Sequence, residues 1–144
     1  VGSRGGVVVI TEAVRRHSGD ARVIGQAFRA LRNLAKGTGE DVSSNRLAIG
    51  GAVICIVQAM TLHAQDESVQ AEGCALLRNL SVDEDVRPAI VAAGAIGAIV
   101  AAMKEHPKSE KVSSQACGSL YNLSFSSGSL AEMKKDKYCK KVLK

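Results

Sequence analysis

The chain has few aromatic residues, few prolines and no long apolar run. Aromatic residues make up 3% of its 144 residues, tryptophan is absent and only two prolines occur. So few prolines permit long helices. Because no apolar run reaches the ~18 residues of a membrane span, we expect no transmembrane segment. The N-terminal residues also lack the basic and apolar regions of a secretory signal.

Four cysteines are present without any C-x-x-C spacing, namely Cys55, Cys74, Cys117 and Cys139. We interpret them as free thiols buried in helices of a protein in a reducing compartment. A disulfide frame or a zinc site is the alternative. The expected location is therefore the cytoplasm, with the nucleus as the alternative.

The formal net charge of +5 comes from one end of the chain. Residues 133–144 hold six lysines and one acid, Asp136, so the remaining residues carry 13 basic and 13 acidic side chains. The basicity thus belongs to one terminal helix and not to the whole surface. Binding of nucleic acid or of another acidic surface through this helix is an alternative function, although few aromatic residues could stack on bases.

The sequence carries no motif of a common catalytic site. The phosphate-binding, nucleophile-elbow and zinc-peptidase motifs G-x-G-x-x-G, G-K-[ST], G-x-S-x-G and H-E-x-x-H do not occur. We therefore expect a non-enzymatic protein with no cofactor and no metal.

Three stretches of the chain are copies of one another. Residues 5–33, 51–79 and 94–122 align without a gap, and each copy ends in Leu-x-Asn followed by a further leucine, giving Leu-x-Asn-Leu. The asparagines of these segments, Asn33, Asn79 and Asn122, are 46 and 43 residues apart. Each copy also has a histidine 16 residues before its asparagine: His17, His63 and His106. A period in this range without strand-like alternation predicts an all-α solenoid.

Each copy reads as an apolar helix, a turn and a longer amphipathic helix. The longer helices are predicted at residues 21–34, 67–80 and 110–123. Shorter helices at 45–50 and 86–93 link the copies, and the first link contains an extra segment, Gly37-Thr38-Gly39, expected to be mobile.

The faces of the longer helix follow from 100° per residue. In the middle copy the predicted packing face holds Val69, Gly73, Leu77 and Leu80, and Asn79 falls on the predicted polar face. The residues predicted to share that polar face are Ala71, Glu72, Ala75 and Arg78.

This arrangement resembles the armadillo repeat. Residues 92–96 match the family's segment that enters the second helix, and residues 112–123 match its third helix. The Ala-Met-x-x-His segments at 59–63 and 102–106 most resemble a histidine-bearing branch that includes armadillo repeat-containing protein 6. The resemblance implies one domain, 1–144, forming a right-handed superhelix of about three repeats with three helices each. The copies would span approximately 5–35, 36–81 and 82–124. A partial fourth, 125–144, would place Cys139, Val142 and Leu143 in its second helix.

The resemblance also implies a function as a scaffold for protein–protein interaction. In importin-α and the catenins, third helices line a concave groove, and their asparagines bond the backbone of an extended peptide. Helices pack about 8–10 Å apart and three extended residues span a similar length, so one asparagine per repeat can meet every third peptide unit. The alternative is that the asparagines bond only neighbouring backbone. The candidate peptide-binding residues are Asn33, Asn79, Asn122, Arg29, Arg32, Arg78, Tyr121, Gln26, Glu72 and Gln115.

One departure from importin-α bears on the ligand. Its tryptophan, four residues before the asparagine, is replaced here by Arg29, Ala75 and Gly118, so recognition of nuclear-import cargo is not expected. Arg29, Arg32 and Arg78 favour an acidic or phosphorylated peptide; the alternative is that they are solvated or paired with acids such as Glu72.

Two further expectations concern the histidines and the chain ends. One histidine per repeat cannot form a shared metal site, and each imidazole is expected to face the last carbonyls of its own helix. Apolar residues at the ends, including Val7, Val8, Ile10 and Leu130, suggest a homo-oligomer through exposed terminal repeats.

Overall fold

The computed structural model describes residues 2–135, with side chains from Gly5 onward, and this part of the chain is all-α. It contains nine helices and no strand. In chain order they are α1 Gly2–Arg16, α2 Ala21–Leu34, α3 Glu40–Gly50, α4 Val53–Leu62, α5 Glu67–Leu80, α6 Arg87–Ala92, α7 Ala95–Glu105, α8 Glu110–Leu123 and α9 Ser127–Lys135.

The helices stack as repeats of three. The first repeat is represented by its second and third helices, α1 and α2, and the next two repeats are complete. Helix α9 packs against α6 and corresponds to the first helix of a fourth repeat. The third helices α2, α5 and α8 lie side by side, and the second helices α1, α4 and α7 form a parallel row. The prediction of an all-α repeat array is confirmed. The handedness of the superhelix and the repeat boundaries stay predictions.

The three third helices have the bounds predicted from the sequence. Each begins after a side-chain cap that accepts a hydrogen bond from a backbone N–H of the first turn. Asp20 Oδ1 accepts from Arg22 N at 3.0 Å, Asp66 Oδ1 from Val69 N at 3.0 Å and Ser109 Oγ from Val112 N at 3.2 Å. These caps satisfy donors that the helix itself leaves unpaired, so the start of each helix is encoded locally.

The middle third helix, α5, is buried on more sides than predicted. Leu77, Leu80 and Val69 are buried as expected, and Gly73 lies under the Met60 side chain. The prediction that Ala71 and Ala75 lie on a polar face is wrong, because both are buried. A helix flanked by α2 on one side and α8 on the other keeps only a narrow exposed strip.

The first helix of the middle repeat begins earlier than predicted. Helix α3 starts at Glu40 instead of residue 45, directly after Gly39, whose φ of 113° suits glycine alone. Acidic Glu40 and Asp41 occupy its first turn, where they favour the helix N-terminus. The segment expected to be mobile, Gly37-Thr38-Gly39, lies in the link between α2 and α3, and its mobility stays a prediction.

Arginine side chains, one of them buried, bind the first helices to the third helices before them. Arg46 is 7% exposed, and its guanidinium donates to Ala35 O at 2.9 Å and Gly37 O at 2.5 Å. Arg87 likewise donates from Nε to Ser81 O at 2.8 Å. Both guanidiniums bind carbonyls at or just beyond a helix C-terminus, where a cation is favoured. These contacts were not anticipated from the sequence.

The exposure of the N-terminal valines and of the cysteines differs in part from the prediction. Val7 is buried, whereas Val8 and Val9 are 65% and 70% exposed.

Of the described cysteines, Cys74 is buried as predicted, but Cys55 is half-buried and Cys117 is exposed; all three are free. Cys139, Val142, Leu143 and the four lysines after Lys135 lie outside the described residues.

No single described helix is long and apolar enough to cross a membrane. Helices α3 and α4 pass that test together on length and composition, as a pair bent by 61°. The apolar side chains Val53, Ile56 and Met60 of α4 are buried in the core.

Candidate peptide-binding face

The residues singled out in the sequence lie on one surface, formed by α2, α5 and α8 and here named the third-helix face. Gln26, Arg29, Arg32 and Asn33 are on α2, Glu72, Arg78 and Asn79 on α5, and Gln115, Tyr121 and Asn122 on α8. Because the three helices are neighbours in the stack, equivalent positions follow one another along the array.

Two of the asparagines bridge consecutive repeats. Asn79 Nδ2 donates to Arg32 O at 3.0 Å, and Asn122 Nδ2 donates to Arg78 O at 3.0 Å. Each accepting carbonyl belongs to the residue just before the previous asparagine, so the contacts form a ladder. A primary amide has a second N–H and an oxygen acceptor, which these inter-repeat bonds do not use.

Asn33 is the first asparagine of this ladder, and no third helix precedes it in the described chain. It is exposed, whereas Asn79 and Asn122 are half-buried, because α2 is the first third helix of the described chain. The predicted alternative, bonding to neighbouring backbone, is therefore realised at two of the three asparagines.

Arg29 and Arg32 converge on one carboxylate. Arg32 Nη1 lies 2.8 Å from Glu72 Oε2, and Arg29 Nε lies 3.5 Å from Glu72 Oε1. The Glu72 side chain is only 13% exposed, so this charge is well shielded from water. The two arginines were expected to favour acidic ligands; pairing with Glu72, the alternative, is what the structure contains, and one net positive charge remains.

Arg78 has a different environment. Its side chain crosses to α8 and lies directly on Gly118: a Cβ added there would be 2.5 Å from Arg78 Nε. Its Nη1 lies 3.4 Å from Gln115 Oε1, a neutral acceptor. In the described part of the chain no carboxylate forms an ion pair with Arg78. Its charge is therefore held on this face without neutralisation.

An exposed aromatic pair lies at the end of α8. The Tyr121 and Phe125 ring centroids are 5.1 Å apart with an interplanar angle of 82°, an edge-to-face arrangement. Their exposed fractions are 65% and 64%. Phe125 was not among the residues proposed from the sequence. Its place three residues after Asn122 could have indicated it, because that spacing is close to one helical turn.

The histidines form a second ladder, at the C-terminal ends of the second helices α4 and α7. His63 Nε2 lies 2.7 Å from Ser18 O, and His106 Nε2 lies 2.8 Å from Ala64 O. A carbonyl only accepts, so Nε2 carries the proton in both rings. The prediction that each imidazole faces the carbonyls of its own helix is wrong, since the partner is the turn of the preceding repeat. His17 belongs to the first repeat and is exposed.

Neither ladder has the form of a metal or catalytic centre. Throughout residues 2–135, no group of three His, Cys, Asp or Glu side chains is placed to hold a metal ion. The ring nitrogens of His63 and His106 that face protein are engaged with backbone.

Comparison with known proteins gives one match. The family model described as LRRK2 ARM repeat matches residues 3–141. No curated protein and no solved structure matches the chain. Nothing in these comparisons supports the armadillo repeat-containing protein 6 branch.

Proposed function

The chain belongs to the armadillo repeat family, whose members generally serve as protein-interaction scaffolds, and we propose that its third-helix face binds an extended segment of a partner protein. Such a scaffold positions a peptide and carries out no reaction. The observation that carries the proposal is the asparagine ladder, which keeps hydrogen-bonding capacity at regular intervals along one face.

The spacing of the ladder suits a peptide backbone. Adjacent helices pack about 8–10 Å apart, and three residues of extended chain cover a comparable distance. A segment crossing α2, α5 and α8 would thus meet Asn33, Asn79 and Asn122 with every third peptide unit. Each asparagine offers both an acceptor and a donor, as one peptide unit requires.

The inter-repeat bonds support this role. Donation to Arg32 O and Arg78 O fixes the amide planes of Asn79 and Asn122 before any ligand arrives. A fixed binding group loses less conformational entropy on binding, so preorganisation favours affinity. The Asn33 side chain makes no such inter-repeat bond in the described structure. A substitution of Asn33 can therefore test ligand binding with little effect on stability.

The test is a selection of random-sequence displayed peptides on the immobilised protein, followed by affinity measurement by fluorescence anisotropy. The substitution N33A should lower the affinity for a selected peptide about tenfold, because one hydrogen-bonding partner of the peptide is lost. Circular dichroism should be unchanged, because Asn33 is exposed.

The matched control is Q58A, which removes an exposed amide from α4, outside the third-helix face. It should bind the selected peptide as the wild type does. Equal affinities for the wild type and N33A, with weakening in Q58A, would place binding on another surface.

Three other expectations remain proposals. They are a cytoplasmic location, binding of an acidic surface by the C-terminal lysines, and self-association through the apolar residues of the terminal repeats, of which Val8 is exposed. Sedimentation at rising concentration tests self-association, and the salt dependence of any nucleic-acid binding tests the lysines.

A further inference from the structure

The third-helix face is most distinctive where α5 meets α8. Three aromatic residues occur in the described part of the chain, and Phe28 is fully buried. The other two, Tyr121 and Phe125, are mostly exposed and contact one another beside Asn122. Exposed apolar surface gathered in one place is characteristic of an interaction site.

Positive charge lies nearer the N-terminal end of α8 than Asn122. Arg78 lies on Gly118, one helical turn before Asn122, and bonds the neutral Gln115. Gly118 matters here because its missing side chain lets the guanidinium approach the backbone of α8. The charge is therefore located on α8 although Arg78 belongs to α5.

Successive side chains of an extended peptide point to opposite sides of its backbone. A segment held at Asn122 and crossing α8 would direct one side chain toward Arg78 and the next toward Tyr121 and Phe125. From this geometry we infer that the third repeat selects a partner segment with an acidic residue directly beside an apolar residue. The inference rests on the proposed function, since it specifies the ligand of the same face.

The arginines of the first repeat do not make an equivalent subsite. Glu72 already pairs with one nitrogen of Arg29, at 3.5 Å, and with one nitrogen of Arg32, at 2.8 Å. A ligand carboxylate would share these arginines with an intramolecular carboxylate that already neutralises one of their two charges. Selection for an acidic residue is therefore concentrated at Arg78.

The experiment compares the peptides selected from the random library on the wild type and on R78A. Wild-type peptides should be enriched in an acidic residue adjacent to Leu, Ile, Phe, Tyr or Trp. R78A should lose the acidic preference and bind the wild-type peptides about tenfold more weakly, the size of a charge-assisted hydrogen bond. Y121A and F125A should lose the apolar preference and keep the acidic one.

The control is R16A, which removes an exposed guanidinium from α1, outside the third-helix face, and should leave both preferences unchanged. R78A and Y121A change side chains alone, so the backbone carbonyl that Asn122 uses on Arg78 is retained.

The outcomes separate this inference from the proposed function. Peptides that depend on Asn33 but show no adjacent acidic and apolar residues would overturn the inference and leave the proposed function standing. Peptides selected without any dependence on Asn33 would overturn the proposed function. An acidic preference lost in R16A and kept in R78A would place the subsite outside the third-helix face and contradict the inference.

Discussion

At the residue scale, one histidine position has two environments in this chain. His106 lies 2.8 Å from Ala64 O of the preceding turn, whereas His17 is exposed. The same contrast separates Asn79, which donates to Arg32 O, from Asn33. A residue that recurs in each repeat therefore bonds the array together only where another repeat precedes it.

We expect H106A to lower the free energy of unfolding by about 1 kcal/mol, because it removes one hydrogen bond to a carbonyl in the preceding turn. The matched substitution H17A should leave the free energy of unfolding unchanged. Urea denaturation followed by circular dichroism measures both. Equal destabilisation by the two substitutions would show that the inter-repeat bond contributes nothing.

The Cys74 thiol provides a second prediction at this scale. Burial raises the pKa of Cys74 from 9.0 to about 12. The unfolded chain would lose this proton near the ordinary thiol pKa, whereas the folded chain retains it up to about pH 12. Stability is thus unaffected by this group below pH 9 and falls as pH rises from 9 to 12, by about 1.4 kcal/mol per pH unit.

Denaturation at a series of alkaline pH values measures this dependence. C74A should show a shallower decline in stability than the wild type between pH 9 and 11. C117A, which removes an exposed thiol, should decline as the wild type does. Parallel declines in wild type and C74A would contradict a buried neutral thiol.

The sequence predicted the exposed face correctly for the asparagines and arginines but not for Ala71 and Ala75, which are buried, and it did not predict the partners of the polar side chains. The sequence indicated that Asn79 and Arg32 share a surface. That the Asn79 amide donates to Arg32 O depends on how closely α2 and α5 approach. The pairing of Arg29 and Arg32 with Glu72 depends on the same distance and stayed one of two alternatives.

At the element scale, local chemistry determined how well each helix was predicted. The third helices start after Asp20, Asp66 and Ser109, whose capping side chains are adjacent in sequence to the donors they satisfy. Helix α3 starts after Gly39 without a side-chain cap, and the prediction placed its start five residues too late. The binding of Arg46 to carbonyls near the end of α2 involves two elements and had no local signal.

Replacing either of two glycines inside third helices by alanine should change the free energy of unfolding in opposite directions. A Cβ on Gly73 would lie 2.7 Å from Met60 Sδ, in the buried core, whereas a Cβ on Gly25 meets nothing within 4 Å. G25A should raise the free energy of unfolding by up to about 1 kcal/mol, because alanine favours helix. G73A should lower it by about 1–3 kcal/mol through overpacking against Met60.

Thermal denaturation of the two variants, measured side by side, checks this pair of expectations. Stabilisation by both substitutions would mean that Met60 moves aside at no cost. Destabilisation by both would mean that α2 is more tightly packed around Gly25 than the structure shows.

At the scale of the whole molecule, stacking converts a repeated sequence into a continuous surface. Helices α2, α5 and α8 are neighbours, so groups 46 and 43 residues apart in sequence form one row. The same stacking creates differences along the row. Glu72 neutralises part of the charge at the first repeat, and Arg78 on Gly118 leaves its charge exposed to ligand at the third.

The most direct test of the account is a nuclear magnetic resonance titration of the side-chain amide groups with a selected peptide. The account predicts that the amide resonances of Asn33, Asn79 and Asn122 shift together, while that of Gln58 on α4 does not. Shifts at Gln58 with all three asparagine amides unmoved would show that the third-helix face is not the binding surface.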